Sequence, residues 1–346
     1  MKNMLSFSIE NIAIGEEFEP LVIPEMGINH NGSLETAFKI VDAAARAGAR
    51  IIKHQTHVIE DEMSSDAKRV IPGNSTKSIY HVMSECALNE EQEKELMEYV
   101  ESKGMVFLST PFSRAAALRL DKFGVSAFKI GSGEMNNYPL IDLISRMGRP
   151  MIVSTGMNDM ESVSRAVDIL IKNNCKFALL HTTNLYPTPA KFVRLGAMTR
   201  LREFGVPIGL SDHTTNNNAC IAAMALGASI VERHFTDTMD RVGNDIVCSM
   251  DESQLKALLD ASKEVFQMRG GEKVPLAEEQ VTMDFAFATA VTVADIKAGE
   301  KFTMGNLWVK RPGTGEVKAI DYEKVIGRTA KINIKADTHI SWEMVL

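Results

Sequence analysis

Residues 206–217 read VPIGLSDHTTNN. The stretch begins as an apolar run and ends as a cluster of polar side chains. Ile208 and Leu210 belong in a core, whereas Ser211, Asp212 and His213 need hydrogen bonds or a ligand. The same design recurs along the chain in LVIPEMG (21–27), RIIKHQT (50–56), GMVFLST (104–110), AFKIGSG (127–133), PMIVSTG (150–156), FALLHTT (177–183) and SIVERHF (229–235). Near-continuous apolar runs of this kind suit parallel strands buried on both faces. Helical patterns lie between them, including SLETAFKIVDAAARAG (33–48), EEQEKELMEYVESKG (90–104), SRAAALRLDKFG (113–124) and ESVSRAVDILIKNN (161–174). Ser33, Asn89 and Ser113 are expected N-caps, and Gly48, Gly104 and Gly124 expected C-terminal stops.

Eight strand–helix units within roughly 250 residues predict an α/β fold, a (β/α)8 TIM barrel. A doubly wound open sheet would show the same pattern and is the competing arrangement. In a barrel the C-terminal strand ends converge on one mouth, where ligands bind. The tips are Glu25, Lys53-His54-Gln55, Ser109-Thr110, Lys129 with Ser132, Ser154-Thr155, His181 through Asn184, Ser211-Asp212-His213 and Glu232-Arg233-His234. Burying so many polar groups without partners would cost about 1–3 kcal/mol each, so a ligand is the economical explanation. The barrel is assigned to residues 1–271, with a hairpin over 6–19 closing its bottom. Residues 272–284 (EKVPLAEEQVTMD) read as a linker, and 285–346 as a small β-rich domain.

The 346 residues are 45% hydrophobic and 24% charged, the balance of an ordinary globular protein. A net charge of −7, from 38 basic and 45 acidic residues, argues against nucleic-acid or anionic-membrane partners. It leaves room for an anionic small substrate held by a local cluster of Lys and Arg. The four cysteines form no C-x-x-C pair and are expected to be reduced thiols. No signal peptide or membrane span is expected, and the expected compartment is the cytoplasm.

His213 and His234 end the seventh and eighth strands, neighbours in a barrel. A lone histidine there is usually a hydrogen-bonded core residue, but two at adjoining tips can share a divalent cation. Lys53 and Lys129 end the second and fourth strands, where a buried ammonium calls for an anion. With Thr110, Ser132, Ser154, Asn184 and Ser211 they can surround a phosphate and a carboxylate. Pairing with Glu25 or Glu134 is the structural alternative, and a Schiff-base lysine the chemical one. Glu25, Glu134 and Asp245 are candidates for proton transfer or for holding sugar hydroxyls. KRPGTG (310–315) is a basic turn that matters only if the small domain covers a mouth.

The segments PEMGINHNGS, KHQTH, STPFSRAAALRL, FKIGSGEMNNYPLI, HTTNLYPTP, GLSDHT, ERHFTD, DIVCSM and NLWVKRPG resemble the bacterial sialic acid (N-acetylneuraminate) synthases, from about residue 20 to 346. The last residues resemble that family's antifreeze-like (SAF) domain. The resemblance implies a transferase reaction in which phosphoenolpyruvate, N-acetylmannosamine and water give N-acetylneuraminate and phosphate. It implies Mn²⁺, or Mg²⁺ or Co²⁺, on His213 and His234. It assigns phosphoenolpyruvate to Lys53, Thr110, Lys129, Ser132, Ser154, Asn184 and Ser211. It assigns the sugar to Gln55, Asn74, Glu134, Tyr186 and Asp245, with Arg311 supplied by the second subunit of a domain-swapped homodimer. Catalytic roles fall to Glu25, Lys53, Lys129 and Glu134. Legionaminic and pseudaminic acid synthases, with the same chemistry on a diacetamido-trideoxy hexose, are the near alternative. A non-catalytic carbohydrate-binding protein is the distant one.

Overall fold

A computed structural model describes residues 6–73 and 75–346. The chain divides into two compact units, Met1–Gly270 and Gly271–Leu346. The first opens with a hairpin of β1 (Phe7–Ile9) and β2 (Ile12–Ile14). Eight parallel strands then close into a barrel: β3 (Leu21–Gly27), β4 (Ile51–Thr56), β5 (Val106–Pro111), β6 (Phe128–Ile130), β7 (Met151–Ser154), β8 (Phe177–Thr182), β9 (Ile208–Asp212) and β10 (Ile230–His234). Each pairs with its sequence neighbour, and β10 returns to β3 with His234 opposite Glu25. The doubly wound alternative is thereby excluded, since an open sheet has two unpaired edges.

Helices follow the strands: α1 (Leu34–Ala47), α2 (Ile59–Glu62), α3 (Ile79–Cys86), α4 (Glu90–Ser102), α5 (Arg114–Phe123), α6 (Tyr138–Ser145), α7 (Met160–Lys172), α8 (Leu195–Arg200), α9 (Asn218–Ala225) and α10 (Glu252–Met268). The caps follow the local sequence. Ser33 and Ser113 accept from the amides three residues on, and Asn89 forms a reciprocal capping box with Gln92. Gly48 and Gly124 adopt the left-handed conformation that ends α1 and α5.

Strand alternation sorts the core into two layers. Outward residues such as Ile52, Phe107, Val153, Leu179 and Val231 pack against the helices. Inward residues Leu21, Ile23, Ile51, Leu108, Ile152, Leu180 and Ile230 form a separate cluster with Phe7, Ile9, Ile12 and Ile14 of the hairpin. The hairpin therefore plugs the N-terminal end of the barrel with apolar side chains, leaving the C-terminal end for polar ones.

The second unit holds α11 (Gln280–Ala286), an antiparallel pair of β11 (Thr289–Thr292) and β12 (Leu307–Lys310), and α12 (Tyr322–Val325). Its own core contains Ala290, Ile296, Phe302, Leu307, Val317, Val325 and Ile340. The stretch read as a linker carries a turn of 3₁₀ helix at Ala277–Glu279 and the start of α11. Among the described residues, no helix is long and apolar enough to cross a membrane.

Candidate active site

The inward side chains at the C-terminal strand ends line one cavity of about 410 Å³. Lys53 from β4 and Lys129 from β6 both reach it and are almost completely buried. Lys129 Nζ donates to Ser154 Oγ at 2.7 Å and to the Ile130 carbonyl at 3.0 Å. Lys53 Nζ lies 3.4 Å from Thr110 Oγ1 and forms a close ion pair with Glu25. Glu232 sits between the two ammonium groups, 3.6 Å from Lys129 and 3.8 Å from Lys53, and accepts from Ser211 Oγ at 2.9 Å. Burial pushes the Lys129 ammonium below its ordinary pKa, and the charge of Glu232 opposes that fall. Glu232 is a further group of the site, and its signal in the sequence is parity with His234, which turns both side chains to the same inward face.

Ser132 Oγ accepts from the Gly156 amide at 3.0 Å. Any Cβ at position 156 would collide with Asn184 Oδ1 and Ser132 Oγ, so glycine lets the backbone approach both. Asn184 Oδ1 is buried in this wall without a hydrogen-bond partner. Lys53, Thr110, Lys129, Ser132, Ser154, Asn184 and Ser211 thus share one cavity wall. Lys53 and Lys129 bring two cations to a wall of hydroxyl and amide groups, with Glu25 and Glu232 as their carboxylate counter-charges; this cup suits an anion that takes over the lysine contacts.

His213 and His234 stand side by side, ring centroids 5.4 Å apart and planes inclined by 39°. Two imidazoles on a common ion at bond lengths of about 2 Å place their centroids roughly 5 Å apart, so the spacing fits. His213 Nδ1 pairs with the Thr183 carbonyl at 2.9 Å, which leaves the Nε2 lone pair for the cavity. Burial, with the neighbouring His234, lowers the His213 pKa to about 3 and keeps the ring neutral, the form that binds a cation. His234 Nδ1 is buried without a partner, 3.7 Å from an Asp245 oxygen. Gly27, at φ +50°, brings backbone close to this ring. Among the described residues, no three His, Cys, Asp or Glu side chains form a complete metal cage. A two-histidine grip leaves coordination positions for water and substrate oxygens.

Behind the rings, the outward-facing Asp212 and Arg233 are register partners and almost fully buried. Arg233 donates to Asn217 Oδ1 at 2.8 Å and to the Thr214 carbonyl at 3.0 Å, while Asp212 accepts from Thr214 Oγ1 at 2.7 Å. This network ties down the turn leaving β9 and so fixes His213.

The carboxylates differ in environment. Burial alone would raise the pKa of Glu25, but Lys53, His234 and hydrogen bonds from Lys53 and Gln55 outweigh it and hold Glu25 well below the usual carboxylate range. Glu134 has no such partner. Burial, with the nearby charge of Glu62, raises its pKa to about 7, and its Oε2 has no hydrogen-bond partner. Burial also raises Asp245. Gln55 donates to Glu25 Oε1 at 2.7 Å, and the Tyr186 ring lies 4.1 Å from that of His213, so both face the same cavity as Glu134 and Asp245. Arg311 is exposed on the second unit, just after β12. Asn74 lies outside the described residues.

The model of the NeuB family matches residues 40–274, and that of the SAF domain matches residues 288–346. The N,N'-diacetyllegionaminic acid synthase of Campylobacter jejuni is 35% identical over 92% of this chain and 97% of its own. The pseudaminic acid synthase of the same organism is 32% identical over 91% of this chain and 93% of its own. The crystal structure of N-acetylneuraminic acid (sialic acid) synthetase from Leptospira borgpetersenii, in complex with citrate, aligns with a TM-score of 0.74 at 28% identity, covering 81% of this chain and 95% of that one. With an anion cup beside paired imidazoles at the mouth of an eight-stranded barrel, and a SAF domain after it, the chain is an enzyme of the NeuB family.

Proposed function

We propose that the enzyme condenses phosphoenolpyruvate with N-acetylmannosamine and water, giving N-acetylneuraminate and phosphate. The observation that carries this reading is the single cavity joining two buried lysines to two facing imidazoles. Lys53 and Lys129, with Thr110, Ser132, Ser154, Asn184 and Ser211, hold the phosphate and carboxylate of phosphoenolpyruvate. Gln55, Asn74, Tyr186 and Asp245 hold the sugar. His213 and His234 would hold Mn²⁺, or Mg²⁺ or Co²⁺, and the bound cation supplies Lewis-acid polarisation of the sugar aldehyde.

The enol carbon, C3 of phosphoenolpyruvate, bonds to the aldehyde carbon, C1 of the open-chain sugar. Glu134, its pKa raised to about 7 so that a substantial share is protonated near neutrality, gives a proton to the aldehyde oxygen. Water adds to the cationic C2, and Glu25, held ionised, takes a proton from it. The tetrahedral carbon then expels phosphate by breaking the C–O bond. Lys53 and Lys129 stabilise the departing charge without needing to reorganise.

The near alternative is the same chemistry on a diacetamido-trideoxy hexose, as for a legionaminic or pseudaminic acid synthase. The 35% identity with the Campylobacter legionaminic acid enzyme favours it, while the motifs KHQTH and IPGN favour N-acetylmannosamine. We further propose a domain-swapped homodimer, in which Arg311 of one copy reaches the sugar of the other, and a cytoplasmic location. Isotopic tracing tests the bond cleavage: ¹⁸O in the bridging position of phosphoenolpyruvate should leave with the phosphate. Label retained in the sugar acid would refute the mechanism.

A further inference from the structure

Resting on the reading of Gln55 and Glu25 as site groups, we propose that His57 and Glu62 are positioning residues that lock the Gln55 amide in one orientation. Neither belongs to the anion cup or the imidazole pair. Four side chains form an unbroken line. Glu62 Oε2 lies 2.8 Å from His57 Nδ1, His57 Nε2 lies 3.2 Å from Gln55 Oε1, and Gln55 Nε2 donates to Glu25 Oε1 at 2.7 Å. The chain runs from the last residue of α2, through the turn after β4, to β4 and β3.

A glutamine amide has a donor end and an acceptor end of nearly the same shape, so packing alone does not choose between them. Hydrogen-bond partners must make the choice. Glu25, ion-paired with Lys53, offers only acceptors and requires the NH₂ end. The Oε1 end then requires a donor, and His57 Nε2–H is placed to be one. Nδ1 faces the Glu62 carboxylate, also an acceptor, so the proposed relay has both ring nitrogens donating.

The surroundings keep the ring in place. His57 stacks on Phe112 with centroids 4.5 Å apart and planes inclined by 13°. The side chains of His57 and Glu62 are 2% and 9% exposed. The short helix α2 is itself anchored, because Asp61 accepts from the Ala115 amide at 2.6 Å. Removing the His57 donor leaves Gln55 Oε1 without its partner and the amide held only at its NH₂ end by Glu25. The amide then swings about that one bond, and the oxygen and NH₂ groups it offers the sugar lose their fixed positions.

A double-mutant cycle tests the proposal, measuring phosphate release by the full chain for wild type, His57→Phe, Gln55→Ala and the double variant. Phenylalanine keeps the ring and its stack on Phe112. We expect His57→Phe to lower kcat/KM for the sugar by about 10- to 100-fold, the usual cost of losing an orienting partner, with the KM for phosphoenolpyruvate within about twofold. In the Gln55→Ala background the same substitution should have no further effect. An equal loss in both backgrounds overturns the proposal. Glu62→Gln, which keeps an acceptor for Nδ1–H, should retain more activity than Glu62→Ala, and equal losses would count against the relay. A readout without turnover is ¹⁵N histidine NMR of the full chain: one ring with both nitrogens protonated, absent in His57→Phe. If the His57→Phe change removes a singly protonated ring instead, the relay is wrong. A wild-type chain that releases no phosphate with any sugar would refute the proposed reaction, while the NMR decides the relay by itself.

Discussion

The lower and upper halves of the barrel interior lie on the same strands and the same inward face, yet carry opposite chemistry. Moving up by two residues takes Ile23 to Glu25, Ile51 to Lys53, Leu108 to Thr110, Ile152 to Ser154 and Ile230 to Glu232. The lower residues meet the hairpin plug and are fully satisfied by apolar contact, each buried Ile or Leu contributing about 1.5–3 kcal/mol. The upper residues include buried polar atoms without partners, at Glu134 Oε2, Asn184 Oδ1, Glu232 Oε2 and His234 Nδ1. Each such atom costs about 1–3 kcal/mol. One half of the interior holds the fold together, and the other presents polar atoms that a ligand can satisfy.

That contrast breaks if substitutions in the two halves have the same consequences. The largest expected effect on turnover is at His213. His213→Ala should cut kcat by about 10³-fold, since a Lewis-acid interaction is worth several kcal/mol, while the thermal midpoint stays near that of the wild type. A large fall in midpoint would mean that His213 is a core residue. Next comes Glu134, for which Glu134→Gln should lower kcat by about 10²-fold, in the range of general-acid catalysis. The sign of its pH effect follows from a pKa raised to about 7: the acid is protonated below that pH and is lost above it. Turnover of the wild type should therefore fall as pH rises through 7, and Glu134→Gln should flatten that limb. An unchanged limb would assign it to another group.

Arg311→Ala, on the small domain, should raise the sugar KM by about tenfold, roughly one charge-assisted hydrogen bond, and leave the KM for phosphoenolpyruvate alone. A parallel change in both constants would disconnect Arg311 from the sugar. The smallest effect on turnover belongs to the lower half. Leu180→Ala should cost about 2–5 kcal/mol of stability, read from denaturant midpoints, with kcat within about twofold. A kcat loss comparable to that of Glu134→Gln would show that the two halves are not separable.

Much of this division is legible in the sequence, because strand period and burial are local. Apolar runs ending in polar tips place the barrel and its mouth, and parity within GLSDH and IVERH turns Ser211, His213 and His234 inward. Glu232 was harder to see. A carboxylate next to an arginine reads as an ion pair, and only the closed barrel brings it between Lys53 and Lys129. The unequal protonation of Glu25 and Glu134 depends on a lysine one strand away from the first and on the isolation of the second. His57 continues the two-residue period of Lys53 and Gln55 just past the end of β4, but its bond to Glu62, five residues on at the end of α2, matches no helical or strand period. Arg311 sits on a second compact unit, so the role proposed for it rests on the resemblance and not on any local pattern.

The most direct measurement is phosphate release by the full chain with phosphoenolpyruvate plus each candidate sugar, with and without Mn²⁺ after EDTA treatment. We expect turnover only when phosphoenolpyruvate, an acetamido sugar and the cation are all present, with N-acetylmannosamine preferred. Phosphate released at the untreated rate after the cation is stripped, or none with any of the sugars, would contradict a mouth built around His213, His234 and the two lysines.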